Sequence, residues 1–188
     1  VTNFQFSNKV RMFTFFRPDL PQISKGYFLT HNPLMWGWAI SRENWYAIKK
    51  GALEGSKVDG LVKNLSIPLQ SFYFAGYRRA ISGESDALDA LIAYYLLIND
   101  LLVVGPPVNM ISNIGYGDSA TNTKTKSKYM NSLSSDWIGT DNAKPTLRGK
   151  HFSILNNDLA IARHMNGWKL HHLVSNVMRL KLSLLLRR

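Results

Sequence analysis

The sequence has no cysteine, which excludes disulfides, thiolate metal sites and a cysteine nucleophile and suits a reducing compartment, the cytosol by default. Acidic residues are scarce: 12 Asp and Glu stand against 23 Lys and Arg, a net charge of +11. That surplus attracts anionic partners, whether nucleic acid, a membrane surface or a phosphate-bearing small molecule, without choosing among them. Asp158 is the last acid, and only bases follow it. Long apolar runs are missing too. The longest candidate, Ala90 to Ile98, contains Tyr94 and Tyr95 and falls short of the roughly 18 residues a spanning helix needs, so it reads as a packed helix. Neither a P-loop nor a G-x-S-x-G elbow occurs. The histidines, His31, His151, His164, His171 and His172, show no metal-ligand spacing, and no metal site is expected among them. The chain opens on Val1 without a basic-then-apolar leader and enters a strand-like run almost at once, so a portion upstream is expected.

What is present reads as a mixed α/β domain with a real core. "KVRMFTFF", Lys9 to Phe16, alternates weakly and is aromatic-rich, as a strand is, and "GYFLT" is a second short strand candidate beyond Pro18 and Pro21. Ser41 is placed to cap a helix through "RENWYAIKK", with Glu43 in its first turn, Lys49 and Lys50 in its last and Gly51 as its C-cap. Lys57 to Leu65 is a shorter helical candidate ended before Pro68, and Gln70 to Ala80 is a helix or a mixed segment. Ser85 opens the clearest helix, in which Leu88, Leu91, Ile92, Tyr95 and Leu96 share a face. "LLVVG" follows as a buried strand, closed by Gly105, Pro106 and Pro107. The stretch from about Ser119 to Gly149 is polar and reads as a long loop, and the tail forms an amphipathic basic helix. Its polar line runs through Lys169, His172, Asn176, Arg179, Ser183 and Arg187, beside apolar Leu170, Leu173, Val177, Leu180 and Leu184.

Several residues have side chains suited to a site. Trp36 and Trp38 flank Gly37; in an extended backbone their indoles point to opposite sides, so one suits the core and the other a wall for a sugar ring, with plain core packing as the alternative. Gly37 permits close approach of a ligand or of a neighbouring backbone. Asp86 and Asp89 fall in the first turn of the strong helix, where acids complement the helix dipole; Asp89 also lies beside the apolar face, where a carboxylate can be aimed into a cleft. In "NMISNIGYGDSATNT", Gly115 and Gly117 allow close approach. Asn109, Asn113, Asp118, Thr121 and Thr123 offer hydrogen bonds to a polyhydroxylated ligand, or simply cap a turn. A G-x-G without a third glycine is too little for dinucleotide binding.

Two of these segments resemble blocks of bacterial nucleotide-sugar-dependent glycosyltransferases of the GT-A fold. "WGWAISRENW" resembles the W-G-W-A-T-W-R block, and "PPVNMISNIGYGDSATNT" resembles P-x-x-N-L-V-S-N-I-G-F-G-x-x-A-T-H-T. Between them "DALDALIAYY" is similar to D-T-W-D-Y-Q-W-A-Y, in the expected order, and together the blocks cover residues 27 to 123. The resemblance implies that residues 1–150 are the C-terminal, acceptor-side part of a GT-A-like domain, whose nucleotide-binding part lies upstream, with 151–188 as a helical extension. It implies that Asp89 is the general base, with Asp86 the second catalytic candidate. Trp36, Gly37, Trp38, Asn109, Asn113, Gly115, Gly117, Asp118 and Thr121 would then bind substrate. The implied reaction is inverting transfer from a nucleotide-sugar donor to a glycan or lipid-linked acceptor in surface polysaccharide synthesis. It is assisted by a divalent metal, Mn or Mg, whose ligands lie mostly upstream. The sequence departs from the family's pattern at Leu88, at Ala90 to Ile92, and at Asn122, which stands where the family has histidine.

These readings set two alternatives side by side: a cytoplasmic glycosyltransferase with peripheral membrane contact through its basic terminal helix, or a non-catalytic basic module for nucleic acid or anionic membrane.

Overall fold

The computed structural model describes residues 8–20, 23, 26–53, 66–85, 88–111, 151–166 and 170–185. The expected helix over 57–65 and loop over 119–149 lie outside them. The fold is mixed α/β: a four-stranded mixed sheet in the order β2-β4-β1-β3, with five helices.

β1 (Val10–Thr14) buries Val10, Met12 and Thr14, but a register shift against its neighbour between Val10 and Met12 interrupts the simple alternation its sequence predicts, so that these two residues face opposite sides of the sheet. β4 (Leu102–Gly105) lies parallel to it, and all four of its residues are buried. A strand covered on both faces reads as a continuous apolar run, as this one does. Val103 joins Met12, Ile48, Ile92 and Leu96 on one side, whereas Leu102 and Val104 join Val10 and Ile154 on the other. β2 (Phe28–Thr30) and β3 (Trp38–Ile40) are antiparallel edge strands, against β4 and β1 respectively. β3 is too short for its period to show in the sequence, which suggests only a turn before a helix.

α1 (Arg42–Leu53) starts where Ser41 predicts, the serine hydroxyl accepting from the Asn44 N–H at 3.2 Å. It does not stop at Gly51 but continues through Leu53. Gly51 is a packing residue: a Cβ there would stand 2.2 Å from Cε2 of Tyr95. α2 (Ile67–Ile81) takes Pro68 into its first turn, where the missing N–H costs nothing. α3 (Leu88–Ile98) is buried on two sides. Ile92 and Leu96 face the sheet and α1; Ala93, Tyr94 and Leu97 meet Tyr73, Phe74 and Tyr77 of α2. Each such buried side chain contributes roughly 1.5–3 kcal/mol of transfer free energy, which makes α3 the central strut.

α4 (His151–Asn166) runs beside edge strand β2, and Asn157 Nδ2 donates to the Leu29 carbonyl at 2.9 Å. A helix laid along an edge strand shields it from further pairing. α5 (Leu170–Leu185) rests on α2 through Leu180, as the tail's periodicity predicts. Among the described residues no helix is long and apolar enough to cross a membrane.

Candidate functional site

Because β1 and β4 are parallel, their C-terminal ends share one edge of the sheet, and β3 begins at that edge where Trp38 pairs with Thr14. In α/β sheets, ligands meet the loops beyond such strand ends. Phe15, the first residue past β1, ties those loops together. Its N–H donates to the Gly37 carbonyl at 2.8 Å, and its own carbonyl accepts from the Met110 N–H at 3.0 Å. The Trp36 to Trp38 turn and the start of the 109–123 loop are thus stitched to either side of one residue.

Gly37 has φ of 70°, a left-handed conformation that glycine adopts without penalty. A Cβ on it would lie 3.0 Å from Cγ2 of Ile111. What approaches Gly37 so closely is therefore the loop itself. The two indoles do part company, although the backbone between them is not extended. Trp36 packs edge-on to Phe16, ring centroids 4.8 Å apart, in the cluster of Phe28, Leu34 and Ile161. Trp38 tilts against Trp45 at 5.5 Å, beside Met12 and Ile48. Both remain half-buried.

Asn109 is buried and bonds the chain itself: Oδ1 accepts from the Arg17 N–H at 3.1 Å, and Nδ2 donates to the Ile111 carbonyl at 2.6 Å. Its placement holds the loop's entry. Arg17, which the sequence did not single out, is fixed at the same edge. Its guanidinium donates to the carbonyls of Gly26 and Pro106, each at 3.0 Å, and lies over the Phe28 ring at 5.4 Å. Burial draws its pKa down, Asp19 opposing, yet an arginine keeps its charge.

Asp89 lies in the first turn of α3, exposed, with Oδ1 accepting from the Ala90 N–H at 2.8 Å. Its neighbour Leu88 packs against the same cluster as Trp38, so the helix start and the tryptophan turn border one core. Asp86, Asn113, Gly115, Gly117, Asp118 and Thr121 lie outside the described residues.

A second constellation, absent from the sequence reading, forms around Asp158. This fully buried carboxylate of α4 accepts from the Thr30 hydroxyl at 2.5 Å and the His31 N–H at 2.9 Å, and faces His31 Nδ1 at 2.6 Å. His31 Nε2 faces Asp100 Oδ1 at 3.3 Å, and Asp100 pairs with Lys9. With a carboxylate on each ring nitrogen, a neutral imidazole would turn a lone pair toward an anion; the imidazolium fits both. Burial alone pulls the His31 pKa down, but the hydrogen bonds and charges of Asp158 and Asp100 outweigh it, and the net shift is upward. For Asp100, burial is outweighed by Lys9 and His31, and its pKa falls. The Tyr73 hydroxyl is buried nearby, and burial, then the Asp158 charge, pushes its pKa well above the usual value. His31 is 2% exposed, so a substrate does not reach it; the cluster clamps α4 to β2 and to the turn after α3. The sequence's one hint was an acid set among the aliphatics of "SILNNDLAIA".

Among the described residues no group of three or more His, Cys, Asp or Glu is arranged to hold a metal ion. No family description, no curated protein and no solved structure matches the chain.

Proposed function

We propose that the chain is the acceptor-side part of a GT-A-like glycosyltransferase, residues 1–150 with 151–188 as a helical extension, using a nucleotide-sugar donor and a glycan or lipid-linked acceptor. The observation that carries this reading is the stitching at Phe15. Two segments that resemble family blocks, separated by some seventy residues of sequence, are held by its two backbone hydrogen bonds at the C-terminal edge of the sheet. Leu88 of the third block packs against the same core cluster as Trp38.

In this reading Asp89 takes the proton of the acceptor hydroxyl as its oxygen attacks the anomeric carbon. The bond from that carbon to the diphosphate oxygen breaks, its electrons leave with the nucleoside diphosphate, and configuration inverts. Asp86, three residues before Asp89 in the sequence, is the second catalytic candidate. Exposure of Asp89 leaves it reachable by an acceptor, and its bond to the Ala90 N–H fixes one of its oxygens. Arg17 contributes fixed positive charge at the edge where diphosphate charge develops, acting through its field because carbonyls hold its donors. In the same reading Trp36, Trp38, Asn113, Gly115, Gly117, Asp118 and Thr121 bind the substrate, and Asn109 holds the entry of the loop.

The test is turnover by the chain, and by the longest native protein containing it, on a panel of nucleotide-sugars with Mn or Mg, read as acceptor-dependent release of nucleoside diphosphate. Asp89→Asn is expected to lower transfer by roughly 10² to 10⁴, the range for loss of a general base. A variant within about tenfold of the parent removes Asp89 from that role. No turnover by the longest native protein on any donor removes glycosyl transfer itself.

A further inference from the structure

α5 has two apolar sides, and among the described residues only one is used inside the molecule. Its inner side places Leu180, 5% exposed, among Leu69, Tyr73 and Tyr77 of α2. On the other side Val174, Met178 and Leu182 are 49%, 58% and 54% exposed. Spaced four apart on a helix, they form one continuous stripe. Helical periodicity puts Lys181 on one flank of that stripe and Arg179 on the other, and both are exposed. No acid occurs on α5 or anywhere after Asp158.

We propose that this outer face of α5 lies in the headgroup region of an anionic lipid bilayer, parallel to its surface. The stripe from Val174 to Leu182 is about 12 Å long at 1.5 Å per residue, too short to span and suited to shallow burial. The flanking charge is of one sign, and the whole chain adds a net charge of +11, which matches an anionic leaflet over a protein surface of mixed charge. The inner side keeps α5 attached to α2, so the helix binds lipid while docked. The inference is independent of glycosyl transfer, and neither test decides the other.

Cosedimentation of the full chain with vesicles of phosphatidylcholine, alone or mixed equally with phosphatidylglycerol, tests it. Binding is expected on the anionic vesicles and should weaken with added salt. Each base near an anionic surface contributes roughly fivefold in affinity, so Arg179→Gln with Lys181→Gln should lower partitioning roughly 25-fold. Met178→Glu with Leu182→Glu should lower it at least about tenfold, with an unchanged melting curve because both side chains are exposed. The proposal is overturned by a parent chain that binds neither vesicle, or by binding that both variants leave intact. It is equally overturned by self-association of the parent that Met178→Glu with Leu182→Glu abolishes, which would make the stripe a contact between copies.

Discussion

At the scale of single residues, Asp158 carries more of the structure than its sequence context announces. Its carboxylate receives the Thr30 hydroxyl, the His31 N–H and the His31 ring from positions 128 and 127 residues away. Removing one partner of a buried ion pair leaves the other charged and unsatisfied, at a cost of roughly 3–5 kcal/mol. Asp158→Asn is therefore expected to lower the unfolding free energy by about that much in urea titrations near neutral pH. Replacing both His31 and Asp158 with leucine should recover a large part of the loss, since no charge is then stranded. A single substitution that costs less than about 1 kcal/mol would show that the clamp adds little. No spacing rule joins positions 31 and 158. What could be read locally was an acid among aliphatics; its partner became visible only once α4 lay on β2. The tryptophans show the opposite balance. Their separation into two clusters follows from their position around Gly37, whereas the cause, a left-handed glycine beneath Ile111, needed the loop in place.

At the scale of elements, α1, α3, β1, β2, β4 and α5 were legible from capping residues and apolar spacing. The ends that failed did so for tertiary reasons. Gly51 has the local character of a helix stop, but α1 runs past it because the ring of Tyr95 occupies the space a Cβ would take. Helix propensity alone makes Gly51→Ala stabilising by up to about 1 kcal/mol. With Cε2 of Tyr95 2.2 Å from the new carbon and Cζ at 2.5 Å, the ring must shift, and overpacking of this kind costs on the order of 1–3 kcal/mol. The clash is expected to win, giving a net loss of stability in thermal or urea unfolding. In a Tyr95→Leu background the same substitution should become neutral or stabilising, because the obstructing ring is gone. Equal effects of Gly51→Ala in both backgrounds would mean that the ring moves freely and that the glycine is there for another reason.

At the scale of the whole molecule, the polar cluster joins four distant stretches: Lys9 before β1, His31 after β2, Asp100 in the turn between α3 and β4, and Asp158 on α4. Asp100 takes a left-handed φ of 52° to do so, with the Leu101 N–H reaching back to the Leu96 carbonyl at 2.8 Å to close α3. Glycine is the usual residue there, and the aspartate takes the conformation at some cost in backbone preference. Global stability should accordingly depend on pH with two limits. The folded-state pKa of His31 is raised. The folded chain thus binds more protons than the unfolded one once pH passes the ordinary histidine value of about 6.5, and stability falls as pH rises through the folded pKa. The folded-state pKa of Asp100 is lowered, so its contribution is complete above the ordinary carboxylate value of about 3.9 and is lost as pH falls through the folded pKa. Between roughly pH 4 and 6.5 both contributions are present. Urea unfolding measured from about pH 6 to 9, below the range in which tyrosines ionise, should therefore show a declining free energy in the parent and a flatter profile in His31→Gln. NMR titration of the His31 ring gives the same quantity in the intact protein, with a midpoint above 6.5 expected. A ring that titrates below that value, or an alkaline decline that persists unchanged in the variant, would mean that a neutral imidazole sits between the two carboxylates and that the four stretches are held by packing alone.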